Sequence, residues 1–542
     1  MTDNELTPDE ASALPDEPTG AEFDDDHELT GVPEPESSTR RPVSAKAAAA
    51  IGARVVGGAL GIGLAAAAVL GSTFLDLPSV TATPPSERVV PVPTAQQLTC
   101  TGPLLRLSDE SGADASTVFT LGQAVTRFSS STGAVEQSRI TASDAQPGES
   151  VAEPLVLSAA PDEQLPEMDV LLSGAQSQTV NVGDYEGFAS AACRAVGGDS
   201  WLVGGATTTG RTTLISLTNP TEVASTVNLE IFNERGAVSA AGTTGIVVPP
   251  NGQRVLSLAG FAPGISSPVI HVTSSGGQIT AELQQSIVRG LDAGGVEIIG
   301  ATQPPARSVV MPGVVVTSLE AIQALRGTAT QTDDVISAIR VFVPGAEATS
   351  IAVTLTPADE ERDPIRFALD LSAGVVTDIP LEELETGVYS VQIDADEPIV
   401  AAARTTSAVI ASGGGISATD FAWFTASPAL TEATQLTVAS GLDAVLNVAN
   451  PGDTAVVVRL VAAGESVADD SAQDEAADGD AAEEYTVEAG ATLRVPVPQG
   501  ETFTLAHNGR VFVSVTQAGD GFLSAYSIDP QTPGSSPLTV FP

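Results

Sequence analysis

The chain has 542 residues, 42% of them apolar but only 4% aromatic, with 51 glycines and 37 prolines. That is enough apolar surface for several cores, cut by turn residues so often that a fold of long helices is excluded. The formal charge of −46 creates a field that repels phosphate backbones, which excludes nucleic acid as a partner.

Residues 1–39 carry thirteen acids and no Lys or Arg. With much proline and little apolar content, they are predicted to be a disordered acidic cytoplasmic tail, solvated and without a docking pattern. Residues 40–54 are a basic juxtamembrane segment holding Arg40, Arg41, Lys46 and Arg54 and no acid. Val55–Phe74 follows, twenty residues without a charge. At 1.5 Å per residue such a helix spans about 30 Å, a hydrocarbon core, and no second run of this length exists. The basic cluster on its N-terminal side predicts a single-pass cell-membrane protein, N-terminus in the cytoplasm and the bulk of the chain outside. A cleaved signal peptide, with "VTA" at 80–82 as its cleavage site, is the competing reading. The segment ahead of the apolar run is far longer than a usual signal n-region, which favours a retained anchor. Residues 75–99, with Pro78, Pro84, Pro85, Pro91 and Pro93, are predicted to be an extended stalk.

From Cys100 onward the pattern is short alternating runs such as "TVNLEIF", "SIAVTLT" and "RVFVSVTQ", bounded by Gly, Pro, Asn and Asp. Alternation of this kind predicts half-buried antiparallel strands. "HNG" at 507–509, between two such runs, predicts a tight hairpin turn. "SLEAIQAL" (318–325) and "LEELE" (381–385) are candidates for short helices or turns.

The runs repeat. "LISLTNPTEVASTVNLEIF", "IRVFVPGAEATSIAVTLT" and "VLNVANPGDTAVVVRLV" each give a strand, a proline turn and a second strand. The turn prolines Pro220, Pro344 and Pro451 are spaced by 124 and 107 residues. Such periods fit tandem β-sandwiches better than propeller blades, which recur at about 40–50 residues. The predicted fold is mainly β: tandem Ig-like, sandwich-like extracytoplasmic domains after one N-terminal transmembrane helix. The expected divisions are a disulfide-closed β module at 100–200, which does not match the repeat clearly, and repeats at 201–305, 306–415 and 416–542. Trp201 in "SWLVGG" and Trp423 in "AWFTAS" each precede a repeat strand, and Trp201 is expected to enter the core of the module it opens. Residues 465–488 hold ten acids and no Lys or Arg. They depart from the EF-hand order, so a disordered acidic insertion is expected rather than a calcium loop.

The sequence offers little for chemistry. Cys100 and Cys193 form no C-x-x-C pair, and outside the cytoplasm two such cysteines are expected to bridge. By chain entropy a loop that long is worth about 4–5 kcal/mol, less any strain. A nucleophilic Cys193 would need a histidine, and beyond residue 75 only His271 and His507 exist, in different repeats. There is no G-x-S-x-G elbow, H-E-x-x-H pair or Walker loop, and no cofactor, metal site or catalytic residue is expected. A carboxylate pair of the glycosidase kind is open to 55 acids beyond residue 75, but nothing selects one.

The layout resembles a family of unknown function in actinobacterial envelopes, the domain of unknown function 5719 family. An acidic tail, one span, "CTGPLLRL" after a proline-rich stalk, "CRAVGGDSWLVGG" and "LTNP"-type strands carry the resemblance. It implies location and architecture, and no catalytic residue. The expected function is a structural or interaction (scaffold) role at the cell envelope, with envelope proteins or glycans as candidate partners. The alternatives are a carboxylate-dependent enzyme acting on envelope glycans and a single-pass sensor.

Overall fold

The strand pattern of the repeats is clearest where alternation is strict: Ser225–Asn233 and Thr349–Pro357 both bury every second side chain, as a strand with one face on a core must. A computed structural model of the chain describes residues 87–89, 95–107, 118–142, 153–161, 170–329, 331–359, 362–381, 384–463, 483–531 and 538–540. All lie within one compact unit, Ser86–Pro542. The acidic tail, Arg40, Arg41, Lys46, Arg54 and the apolar run 55–74 lie outside the described residues. Among the described residues no helix is long and apolar enough to cross a membrane.

The structure is mainly β, built from several sheets whose pairs among the described residues are antiparallel, apart from the short parallel pairing of Gly252 and Gln253 with Thr141 and Ala142. In the first repeat, one sheet runs Gly252–Ser257, Arg211–Asn219, Thr280–Arg289, Asp292–Ile299, and the other runs Asp199–Val203, Val269–Gly276, Ser225–Asn233. Ile215, Leu217 and Leu283 from one sheet share a core with Leu202, Leu229 and Ile270 from the other. The third repeat has the same pairing: Thr492–Val497, Asp443–Ala449, Val511–Gly519, Phe522–Ser527, against Thr434–Thr437, Thr502–His507, Val456–Ala462, Glu483–Val487. In the second, one continuous strand, Gly387–Ile410, serves both sheets. Its first half pairs with Ala306–Val316 and Thr349–Pro357, and its second half with Ala338–Phe342 and Ile416–Thr425.

The proline turns cross from one sheet to the other, and two carry a buried asparagine that explains "LTNP" and "VANP". Asn219 donates to Val223 O (2.8 Å) and accepts from Thr221 N (2.9 Å). Asn450 donates to Thr454 O (2.7 Å) and accepts from Gly452 N (3.1 Å). An Asx turn of this kind satisfies backbone groups that leave one ladder before joining the next.

Ile416–Thr425, placed in the third repeat by the sequence division, pairs with Gly387–Ile410 and so belongs with the second. Three further features differ from the sequence reading. First, the segment before Trp201 follows the repeat's pairing after all: Val125–Ser130, Leu172–Val182 and Tyr185–Ala192 form one sheet, and Gln96–Cys100, Leu155–Ala159 and Glu136–Arg139 the other. Its strands are short and interrupted, which hid the match. Second, Asn508-Gly509 does not close a hairpin. Thr502–His507 and Val511–Gly519 belong to different sheets, and Asn508 pairs sideways, its Oδ1 accepting from Val457 N at 2.9 Å. Neither turn residue has the positive φ that a type I′ turn requires. Third, Glu483–Val487, inside the expected acidic insertion, is a strand paired with Val456–Ala462. Val487 is buried and anchors it, while 464–482 lie outside the described residues. Leu319–Thr328 is a helix, capped by Ser318 and carrying Glu320 in its first turn and Arg326 in its last, as the end dipoles favour.

The last strands of the four units meet. Tyr185–Ala192 packs against Asp292–Ile299 and Phe522–Ser527, and Ile416–Thr425 packs against the same two. The four units therefore close a ring, with these strands innermost. Cores run across the joins: Trp423 and Phe421 enter the first repeat's cluster, and Leu523 the second's.

Candidate functional site

The quoted stretch around Cys193 is a junction. Cys100, ending its strand, is bonded to Cys193, which follows Tyr185–Ala192, across a separation of 93 residues. Both are buried, beside Leu157 and Leu172. A Cβ on Gly174 would lie 3.0 Å from the Cys193 sulfur and 2.8 Å from Leu157, so glycine is what lets the bridge seat. Arg194, which composition alone did not single out, forks onto Asp529 through Nε (2.8 Å) and Nη2 (2.7 Å) and also donates to Ala301 O. One side chain thus ties three units, and such bidentate pairs are the strong ones. Trp201 enters the first repeat's core and stacks on His271 at 4.2 Å. His271 is held between Asp199 (2.8 Å) and Glu230 (2.9 Å). His507 bonds the carbonyls of Gly509 and Glu432. The structure brings neither histidine to Cys193.

At the ring's centre sits Asp420, fully buried. Its Oδ1 accepts from Val296 N (3.1 Å) and Phe421 N (3.0 Å), its Oδ2 from Phe188 N (3.0 Å) and Leu523 N (3.3 Å). These are one backbone donor from each of the four innermost strands. Gly187 and Gly295 precede two of them, and a Cβ on Gly295 (φ 113°) would fall 2.4 Å from Oδ1. Beside this carboxylate, Ser524 Oγ donates to Glu297 Oε1 (2.8 Å) and takes the Ser190 N–H (2.9 Å). Burial pushes Asp420 well above the usual carboxylate range against the pull of the four N–H groups, and burial likewise raises Glu297. The signal in the sequence is faint: "EGF", "GGV", "TDF" and "GFL" each place a small or acidic residue near the donor.

A cleft lies between the first and second repeats, a cavity of about 320 Å³ lined by Arg211, Arg340, Arg404, Asp334, Asp378 and Trp423 among others. Register builds it. Ala338 pairs with Arg404 and Arg340 with Ala402, which sets the two arginines as diagonal neighbours on one face. Arg340 lies directly across from Asp378 and bonds both its oxygens, at 2.8 and 3.0 Å. Asp334 comes from the loop after the helix, pinned by Arg326 Nε on Val335 O (2.6 Å). Three guanidiniums converge on Asp334: Arg211 (2.6 Å), Arg404 (3.2 Å) and Arg289 (3.3 Å). Trp423 is fixed by its indole N–H on Gln285 Oε1 (2.8 Å) and lies under Arg340. Burial alone would raise Asp334, but the charges of Arg404, Arg289 and Arg211 outweigh it and hold the carboxyl below its ordinary value. Burial, with the neighbouring arginines, brings Arg404 down to about 10. A cation inside an otherwise apolar strand, as in "AIRVF" and "AAARTTS", is the sequence signal for this cluster.

The model of a family described as "Family of unknown function (DUF5719)" matches residues 145–498, more than half of the 542. The chain belongs to that family. The DUF5719 match begins in the first unit and ends in the third repeat, so it takes in Cys193, Asp420 and the whole arginine cleft. No curated protein matches the sequence. A solved structure from Thermotoga maritima, titled "Crystal Structure of Thermotoga maritima 1070", matches at 14% identity over 23% of this chain and 95% of that one. Its TM-score is 0.17, too low to inform the fold.

Proposed function

We propose that this DUF5719 chain is a single-pass scaffold of the bacterial cell envelope. Its Ig-like sandwich units face outward and bind envelope proteins or glycans. The observation that carries this reading is the closed ring: four units locked on one buried carboxylate form a rigid body, suited to holding partners at fixed positions. The Cys100–Cys193 bond supports an extracytoplasmic setting, because such bridges persist in oxidising compartments. The basic cluster beside Val55–Phe74 supports the orientation. The glycan-cleaving alternative gains nothing from the carboxylates that burial raises. Glu282, Glu297 and Asp420 are all buried, and the cavity at Glu282 measures about 10 Å³, far below a sugar.

Crosslinking in intact cells tests the proposal. Full-length protein carrying photoreactive groups on exposed positions of residues 170–531 is expected to capture envelope proteins or glycans. Capture of cytoplasmic proteins alone, with the same region shielded from protease added to intact cells, would contradict it.

A further inference from the structure

We propose that the cleft between the first and second repeats is a binding site for a small oxyanion, the phosphate or carboxylate group of an organic molecule, held on Arg404 beside Trp423.

Beyond residue 75 the chain has 18 arginines against 55 acids, yet Arg211, Arg340 and Arg404 line this cleft and Arg289 lies behind it, all buried. Two carboxylates, Asp334 and Asp378, answer them. With Asp333, exposed on the lining, the lining itself is balanced, and Arg289, bonded to Asp334 behind it, leaves the cluster one net positive charge. Buried charge without a counter-charge is costly, and an anion entering the cleft would supply one.

The donors narrow the place. Arg340 is spent on Asp378 and the carbonyls of Gly205, Ser266 and Pro268. Arg211 is spent on Asp334, Thr209 O and Gln331. Arg289 leaves its Nε unpartnered, as Arg404 does, but Arg289 does not line the cleft and Arg404 does. A guanidinium has five N–H donors, and Arg404 uses two, both on Asp334. Its Nε has no partner among the described residues but is sealed from the cleft, so the unspent donors of this lining side chain, only 7% exposed, are the second N–H of Nη1 and of Nη2. Its face rests on Phe421, 5.2 Å from the ring centre, so its plane is fixed. A planar fork with unspent donors, held rigid, is the standard recognition element for phosphate and carboxylate. Trp423, one face of which carries Arg340, joins Ala206, Ile336 and Ala338 as the apolar part of the lining, and about 320 Å³ accommodates one sugar-sized body, at the small end of ligand sites.

Calorimetric titration of the full chain with inorganic phosphate and, separately, with D-glucuronate tests this. The expected result is saturable one-site binding of at least one probe. Phosphate alone would assign the site to phosphoryl groups, and glucuronate alone to carboxylates. Arg404→Gln is expected to weaken binding about tenfold or more, by loss of a charge-assisted pair. Two exposed changes leave the buried network intact and keep the test open should that variant misfold. Asp333→Asn is expected to tighten binding about threefold, and Thr209→Glu, at an exposed lining position where only the backbone bonds Arg211, to weaken it by a similar factor. Absence of saturable binding for both probes would overturn the proposal. So would binding that a folded Arg404→Gln, or the two surface variants together, leaves unchanged.

Discussion

Asp420 accepts the backbone N–H of Phe188 at 3.0 Å although 232 residues separate them. The bond joins the first unit of the chain to the second repeat, and the same carboxylate takes an N–H from the first and third repeats as well. One side chain therefore holds four covalently distant strands at a common point.

Replacing Asp420 by Asn sets an amide NH₂ against two of those four donors, whichever way the side chain is turned. Each buried donor left unsatisfied costs about 1–3 kcal/mol. Asp420→Asn is expected to lower unfolding free energy by about 2–5 kcal/mol, read from the midpoint of a urea transition. A midpoint equal to wild type would show that the carboxylate holds nothing together.

Gly295 precedes the Val296 donor at a φ of 113°, with no room for a Cβ between it and Asp420. Gly133 also has a positive φ, 77°, but nothing lies within 4 Å of its added Cβ. Both alanine variants suffer the backbone strain, about 1–3 kcal/mol, and only Gly295→Ala adds the steric clash. Gly295→Ala is expected to cost at least about 2 kcal/mol more than Gly133→Ala, in paired denaturation curves.

Glu282 is buried, and neither carboxylate oxygen has a hydrogen-bond partner among the described residues. Burial raises its pKa to about 7, partly offset by Arg194. A carboxyl whose folded value lies above its ordinary 4.5 holds its proton more tightly in the native state. Its contribution is full below pH 4.5 and is lost as pH rises toward 7, by about 3 kcal/mol over that interval. Glu282→Gln stays neutral throughout. The variant is expected to be more stable than wild type at pH 8, and the difference to shrink toward pH 4.5. Parallel curves at both pH values would refute this.

Cys100 and Cys193 close a loop of 93 residues. Reduction, or the double change to Ser, is expected to lower stability by about 2–5 kcal/mol. Mass spectrometry without reductant checks the bond, and denaturation with and without it checks the cost.

Much of the local architecture could be read from the sequence, and the long-range architecture could not. Strict alternation in "STVNLEIFN" or "TSIAVTLTP" exposes a strand because its period is set by the backbone itself. The asparagine-proline turns and the bridging cysteines are legible for the same reason, each depending on local chemistry or on a count. The ring was hidden because its hub is a single aspartate among many. What distinguishes Asp420 is the approach of Phe188, Val296 and Leu523, three residues from three other units. The arginine cleft was hidden likewise: Arg211 meets Asp334 across 123 positions. The Asn508-Gly509 turn misled because its two strands find better partners in opposite sheets than in each other.

The central claim is that four units form one body around Asp420. Native-state hydrogen exchange on the full chain, followed in peptides covering residues 185–192, 292–299, 416–425 and 522–527, tests it most directly. The account predicts a common opening free energy for all four strands, and a common decrease in all four when Asp420 is replaced by Asn. Four distinct opening energies, with the substitution felt only in residues 416–425, would contradict it.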